Sequence, residues 1–124
     1  MIKNALLVFI GGGFGSVLRF LISKALNKQA FPIPYGTLTV NILGSLILGF
    51  ILGMALKNDS LNNASNFLLS VGFCGGFTTF STFAFENQAL FRSGDYVHFA
   101  IYAFGSLILG LLAVTLGVFL TKFT

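Results

Sequence analysis

Four apolar runs, separated by polar connections too short to hold a folded unit of their own, fix what this chain can become. They extend from about Ala5 to Ile22, Leu38 to Leu56, Phe67 to Leu90 and Val97 to Leu120. Each approaches the roughly 20 predominantly apolar residues that a helix needs to cross the hydrocarbon core of a bilayer. The connections, residues 23–36, 57–66 and 92–96, are short and polar. Composition closes the alternative of a water-soluble bundle. Hydrophobic residues make up 56% of the 124 and charged residues 8%, against about 25% charged in a typical soluble domain. A chain this small has too much surface for its volume to hide that much apolar area internally, so the excess must face lipid. The expectation is an all-α integral membrane protein, with residues 1–124 forming a single four-helix transmembrane domain.

The first run starts beside Lys3, as a secretion signal would. Arg19 interrupts it, however, and no small-residue cleavage site follows, so it is expected to stay as a membrane span. Cys74 is the only cysteine and cannot form an internal disulfide; inside an apolar run it behaves as a small inert residue. The net charge of +4 does not imply a nucleic-acid partner, because the basic residues are scattered at the ends of the spans, where headgroups lie. With four spans, Lys3, Lys57 and Lys122 share one side of the membrane. Lys24, Lys28 and Arg92 share the other, joined by Arg19 if it snorkels that way. Orientation follows an imbalance of Lys and Arg, and here there is almost none. Either another signal orients the chain or it inserts both ways round. Opposed copies would give a dimer with its two-fold axis in the membrane plane, an inverted repeat made from one gene. A four-helix subunit leaves little room for a pathway of its own, which favours an oligomer for any transport role.

The chemistry concentrates in the third run, Gly72-Phe73-Cys74-Gly75-Gly76-Phe77-Thr78-Thr79-Phe80-Ser81-Thr82-Phe83 followed by Ala84-Phe85-Glu86-Asn87. Glycine costs about 1 kcal/mol against alanine inside a helix, and serine and threonine hydroxyls compete for the local backbone. One reading breaks the helix here; the other keeps it whole and uses the small residues for close packing. A break within a bilayer is tolerated only where it is buried in protein or lines a wet cavity. Its freed carbonyls would suit a cation, and the helix N-terminus that follows would favour an anion.

Phe77, Phe80 and Phe83 recur every third residue and so drift slowly around one helix face. Such a stripe is either packing or, interleaved with Thr79, Ser81 and Thr82, a path on which electropositive ring edges and hydroxyls meet an anion without a full charge to trap it. In the second run Asn41 must face protein or water, not lipid, as interhelical glue or as a pathway donor. Thr37 and Ser45 lie one turn to either side of it. Tyr102 and Ser106 are one turn apart in the fourth run and could extend the same polar track.

The third-run motif resembles the signature of the Fluc (CrcB-type) fluoride channels. Gly12-Gly13-Phe14-Gly15-Ser16-Val17-Leu18-Arg19 and Gly36-Thr37-Leu38-Thr39-Val40-Asn41 are similar to the same family, and the resemblance covers essentially the whole chain. It implies a homodimer of antiparallel, dual-topology subunits in a bacterial plasma (inner) membrane, with the third helix broken mid-membrane. It also implies two fluoride pores and a structural sodium ion at the dimer centre, held by the backbone carbonyls of Gly75 and Thr78. Matched to the motif, the pore phenylalanines are Phe80 and Phe83, the vestibule asparagine is Asn41, and Ser81 is a pore hydroxyl. Tyr102 and Ser106 match the polar positions of the fourth helix. Where some members carry a further hydroxyl one turn on, this sequence has Gly110. Glu86 and Arg19 also fall on family positions. The implied function is passive, fluoride-specific export that lowers fluoride in the cytoplasm.

Two other classes fit the size and span count. A small multidrug exporter needs a membrane-embedded acid in the first helix, where this chain has only Arg19, and its drug sites use tryptophan, which is absent. A structural assembly subunit would use every polar group as glue between helices. An enzyme is least expected: His98, the sole histidine, lies at a helix end and belongs to no nucleophile-base-orienter set.

Overall fold

The computed structural model describes all residues, Met1–Thr124, and the chain is entirely helical. Helix α1 spans Ile2–Leu26 and α2 spans Tyr35–Lys57. The third span, Ala64–Arg92, is interrupted. Its first part, α3 (64–77), winds unusually wide as a π-helix over Phe67–Cys74. Residues 78–80 leave the helix, and α4 resumes over Ser81–Arg92. Helix α5, Tyr96–Leu120, completes the four membrane-capable spans. Each helix runs a few residues beyond its apolar core, because the backbone keeps its hydrogen bonds into the polar boundary. The chain turns between α4 and α5 at Gly94, whose φ of 83° belongs to glycine. Asp95 then caps α5, accepting a hydrogen bond from the His98 backbone N–H at 3.2 Å.

Glycine sets how the spans approach one another. Helix α1 lies along α3, and α2 lies along α5. A Cβ on Gly49 would strike the Val114 carbonyl, and one on Gly117 would strike the Leu46 carbonyl, so α2 and α5 cross backbone to backbone. At the far end the Lys57 ammonium donates to the Thr121 carbonyl at 3.0 Å and ties α2 to the close of α5.

The interior is small. Only 19 of 124 residues are buried, and the largest fully buried side chains are Tyr102, Phe77, Val40, Thr37 and Cys74. Phenylalanine, leucine and isoleucine side chains cover the outside of all four spans. In water that surface would be untenable; in a bilayer it is the solvent-facing side. The chain is a multi-pass membrane protein.

Candidate functional site

The interruption of the third span is built by three side chains. Thr78 takes extended dihedrals, φ −90° and ψ 161°. Its N–H and its hydroxyl both donate to the Cys74 carbonyl, at 3.0 and 2.9 Å, which finishes α3. Thr79 is then held by Asn41 of α2. The Asn41 amide NH2 donates to the Thr79 carbonyl at 3.1 Å, and its oxygen accepts from the Thr79 N–H at 2.8 Å. One amide thus replaces both backbone bonds that Thr79 gave up. The Thr79 hydroxyl accepts from the Thr82 N–H at 3.2 Å and caps α4. Gly44, one turn below Asn41, lets the break come this close: a Cβ there would run into the Thr78 methyl. From α1, Arg19 donates through Nε to the Gly76 carbonyl at 2.9 Å, a cation at a helix C-terminus.

A cleft of about 420 Å³ opens beside the break. Four of the six residues expected along the pathway line it: Asn41, Phe80, Phe83 and Ser106. Thr78, Thr79 and Ser45 join them, as do Gly110 and the aliphatic residues of α2 and α5. No charged side chain lines it. The Phe80 and Phe83 rings stand 6.2 Å apart, tilted by 49°. Ser106 Oγ has no hydrogen-bond partner although it is sealed from water, so its donor is uncommitted. Ser45 donates to the Asn41 carbonyl at 2.6 Å, within its own helix.

The remaining predicted positions stand elsewhere. Ser81 is exposed on the first turn of α4 and outside the cleft. Tyr102 is buried and turned away; its hydroxyl donates to Glu86 at 2.7 Å, and its ring meets Phe83 edge-on at 5.1 Å. Gly75 is exposed, and neither its carbonyl nor that of Thr78 accepts a hydrogen bond from the break or the helix after it.

The span is thus interrupted and knotted to Asn41 beside paired phenylalanines. The family described as CrcB-like protein, Camphor Resistance (CrcB), matches residues 6–118. The chain belongs to the CrcB family. It is 46% identical over 122 residues to a protein of Bacteroides fragilis, covering 95% of each chain. It is 44% identical over 124 residues to one from Azobacteroides pseudotrichonymphae, covering 99% of each. A relative in Chlorobium chlorochromatii is 44% identical over 115 residues, 93% of this chain and 89% of that one. Each of these relatives carries the name fluoride-specific ion channel FluC, a channel and not an enzyme.

In this CrcB chain a second polar group, separate from the cleft, surrounds Glu86. The Thr37 hydroxyl donates to one Glu86 oxygen at 2.7 Å and the Tyr102 hydroxyl to the other at the same distance. Asn27, in the loop after α1, donates to the Thr37 hydroxyl at 3.1 Å. The Asn27 side-chain oxygen accepts from the Gly36 and Thr37 backbone N–H groups at 2.6 and 3.2 Å, capping α2. Glu86 also borders a pocket of about 350 Å³ with Lys28, Phe31 and Phe85. The sequence flagged Glu86 and Thr37 but gave no sign of Asn27: it caps a helix across two prolines, at a spacing no local capping pattern has. The pairing of Asn41 with Thr79 bridges 38 residues and is equally invisible to any short-range rule.

Proposed function

We propose that this chain is the subunit of a passive, fluoride-specific channel. The observation that carries the reading is the cleft at the break, where amide and hydroxyl groups face two phenylalanine rings and no charged side chain intrudes. Fluoride is small and strongly hydrated. It crosses only if donors replace its water without holding it too firmly, because conduction needs binding weak enough to leave. The second N–H of Asn41 and the Ser106 hydroxyl are such donors, and the positive edges of Phe80 and Phe83 add attraction without a full charge. The names of the relatives support the same ion. In an acidic medium fluoride enters the cell as neutral hydrogen fluoride and dissociates inside. A selective pore then lets the anion leave down its gradient and lowers the cytoplasmic concentration.

The subunit works as half of a dimer. Phe80 is 77% exposed although it lies next to the break within the span, and Gly75 and Ser81 are exposed beside it. A second copy would cover these residues, close the open side of the cleft and bring Ser81 to the wall of the path. With Arg19 set aside, the 3-against-3 split of Lys and Arg supports antiparallel insertion, and therefore one pore per subunit. Tyr102 bounds the path from behind Phe83.

The carbonyls of Gly75 and Thr78 fit sodium: they are neutral oxygens released by the break, and unwound carbonyls are the usual sodium ligands of broken membrane helices. One chain offers two, so a site at the dimer centre takes the same pair from the second copy. A sodium ion bound there would supply positive charge between the two breaks.

The test is reconstitution of the purified protein in liposomes loaded with fluoride or chloride. Fluoride efflux is expected without ATP or a proton gradient, with chloride retained. Equal fluxes of the two anions would sink the selectivity. Proton-coupled drug movement without fluoride efflux would transfer the protein to the exporter class. C-terminal tags found on only one face of the membrane would remove dual topology.

A further inference from the structure

The far end of the molecule from Glu86 holds a cavity that the proposed pathway leaves unused. It measures about 220 Å³ and lies between the end of α2, the 58–63 connection and the start of α3. Its lining is layered. Phe50, Ile51 and Leu69 form an apolar wall, while Asn58, Asn63 and Ser65 form a neutral polar rim. From Phe50 to Asn58 the wall rises about 12 Å along α2, so the layering follows the passage from hydrocarbon to headgroup. The three rim side chains make no hydrogen bond within the chain, and no charged residue lines the pocket. Asn66 lies in its floor, 9% exposed. Its NH2 donates to the Leu61 carbonyl at 2.6 Å, but its oxygen has no partner, and a buried acceptor left unpaired is costly.

We infer that this pocket is a binding site for one bilayer phospholipid whose headgroup donates hydrogen bonds. The glycerol and upper acyl chain rest on Phe50, Ile51 and Leu69. The phosphate accepts from the Asn58 and Asn63 amides and the Ser65 hydroxyl. The headgroup N–H or O–H supplies the donor that Asn66 lacks. Uncharged rim groups match a headgroup that both accepts and donates. A choline headgroup, whose nitrogen is fully methylated, has no donor to give. Ethanolamine and glycerol headgroups both do, through an ammonium and through hydroxyls.

The measurement is native mass spectrometry of the purified protein released from micelles containing equal amounts of phosphatidylethanolamine, phosphatidylglycerol and phosphatidylcholine. One lipid with a donor headgroup is expected to be retained per subunit, about fivefold over phosphatidylcholine, the size of a single net hydrogen bond. The ratio of ethanolamine to glycerol lipid tells which donor fits. Asn66→Ala should abolish the preference. Because Asn66 also holds Leu61, Ser65→Phe is the second variant: it blocks the rim from an exposed position and leaves that bond intact. Loss of retention in Ser65→Phe with unchanged fluoride efflux supports the site. Equal retention of the three lipids, or a preference that survives Ser65→Phe, overturns it.

Discussion

Two polar groups lie within the spans, and they are finished differently. Around Glu86 both carboxylate oxygens are taken: Thr37 and Tyr102, almost fully buried, each donate to one, and Asn27 donates to the Thr37 hydroxyl behind them. At the break, Asn41 and Thr79 satisfy one another, yet the Ser106 hydroxyl, the second Asn41 N–H and the Gly75 and Thr78 carbonyls are left over. A closed network rigidifies a fold. Leftover groups beside a cleft are what an ion replacing its hydration shell requires. Glue and pathway, which the sequence could not tell apart, differ here in whether hydrogen-bonding capacity remains.

The comparison breaks most visibly at Asn41, the one residue that serves both purposes. Asn41→Leu strands the Thr79 N–H and C=O, at about 1–3 kcal/mol each. The protein should melt earlier, and any folded fraction should conduct poorly. Asn41→Asp keeps the acceptor for the Thr79 N–H but strands the Thr79 carbonyl and sets a negative charge beside the cleft. It is expected to reach the membrane folded and to lose at least about tenfold of its fluoride flux, a barrier of about 1.4 kcal/mol or more. Efflux from liposomes matched for folded protein checks both. Wild-type flux in Asn41→Asp would make Asn41 glue alone.

Next come the rings. Phe83→Ile and Phe80→Ile each keep apolar bulk and delete the electropositive edge. For packing residues such swaps cost about 1–3 kcal/mol and leave transport alone. For pathway residues the protein should run normally on size exclusion while flux falls about tenfold or more. Phe119→Ile, which faces outward near the end of α5, is the control for bulk apolar loss. Normal flux in both ring variants would return the stripe to packing.

How much of this was legible in the sequence depends on range. The spans came directly from hydrophobic runs, since the bilayer sets a length that can be counted. The interruption at residues 78–80 was one of two readings, because Gly75-Gly76 and Thr78-Thr79 allow either a break or close packing; which one occurs depends on Asn41, 38 residues away. Asn41, Phe80, Phe83 and Ser106 do meet at one cleft. Tyr102 shares a helical face with Ser106, but a residue's face does not reveal its partner. Its hydroxyl is taken by Glu86 on α4, which the one-turn spacing could not disclose.

The closed network yields a smaller effect of opposite kind. Tyr102→Phe removes one of the two donors to Glu86 and leaves a partly buried carboxylate oxygen unpaired, at about 1–3 kcal/mol of stability. The ring edge against Phe83 is preserved, so fluoride flux should stay within about twofold of wild type, a barrier change near 0.4 kcal/mol. Parallel thermal melts and efflux measurements decide it. A tenfold loss of flux with unchanged melting would move Tyr102 from the wall of the path into the path itself.

The smallest effect belongs to a polar pair outside both groups. Asp95 precedes α5, and the His98 ring nitrogen lies 2.9 Å from its carboxylate. Hydrogen bonds from the His98 side chain and backbone N–H hold the Asp95 carboxyl below its ordinary value. A carboxyl depressed in the folded state contributes stability that is fully present above its unfolded pKa, about 3.9, and that fades as pH falls through the lower folded value. Asp95→Asn retains a good helix cap but not the charge. Its melting temperature should therefore sit slightly below wild type at pH 7, and the gap should close in acid below about pH 3.9. Flux at neutral pH should be unchanged, because Tyr102 lies two turns further along α5 and the cap acts on the first. A variant that instead lost fluoride flux at pH 7 would show that the start of α5 governs the cleft, and the separation of a closed network from an open one would no longer hold.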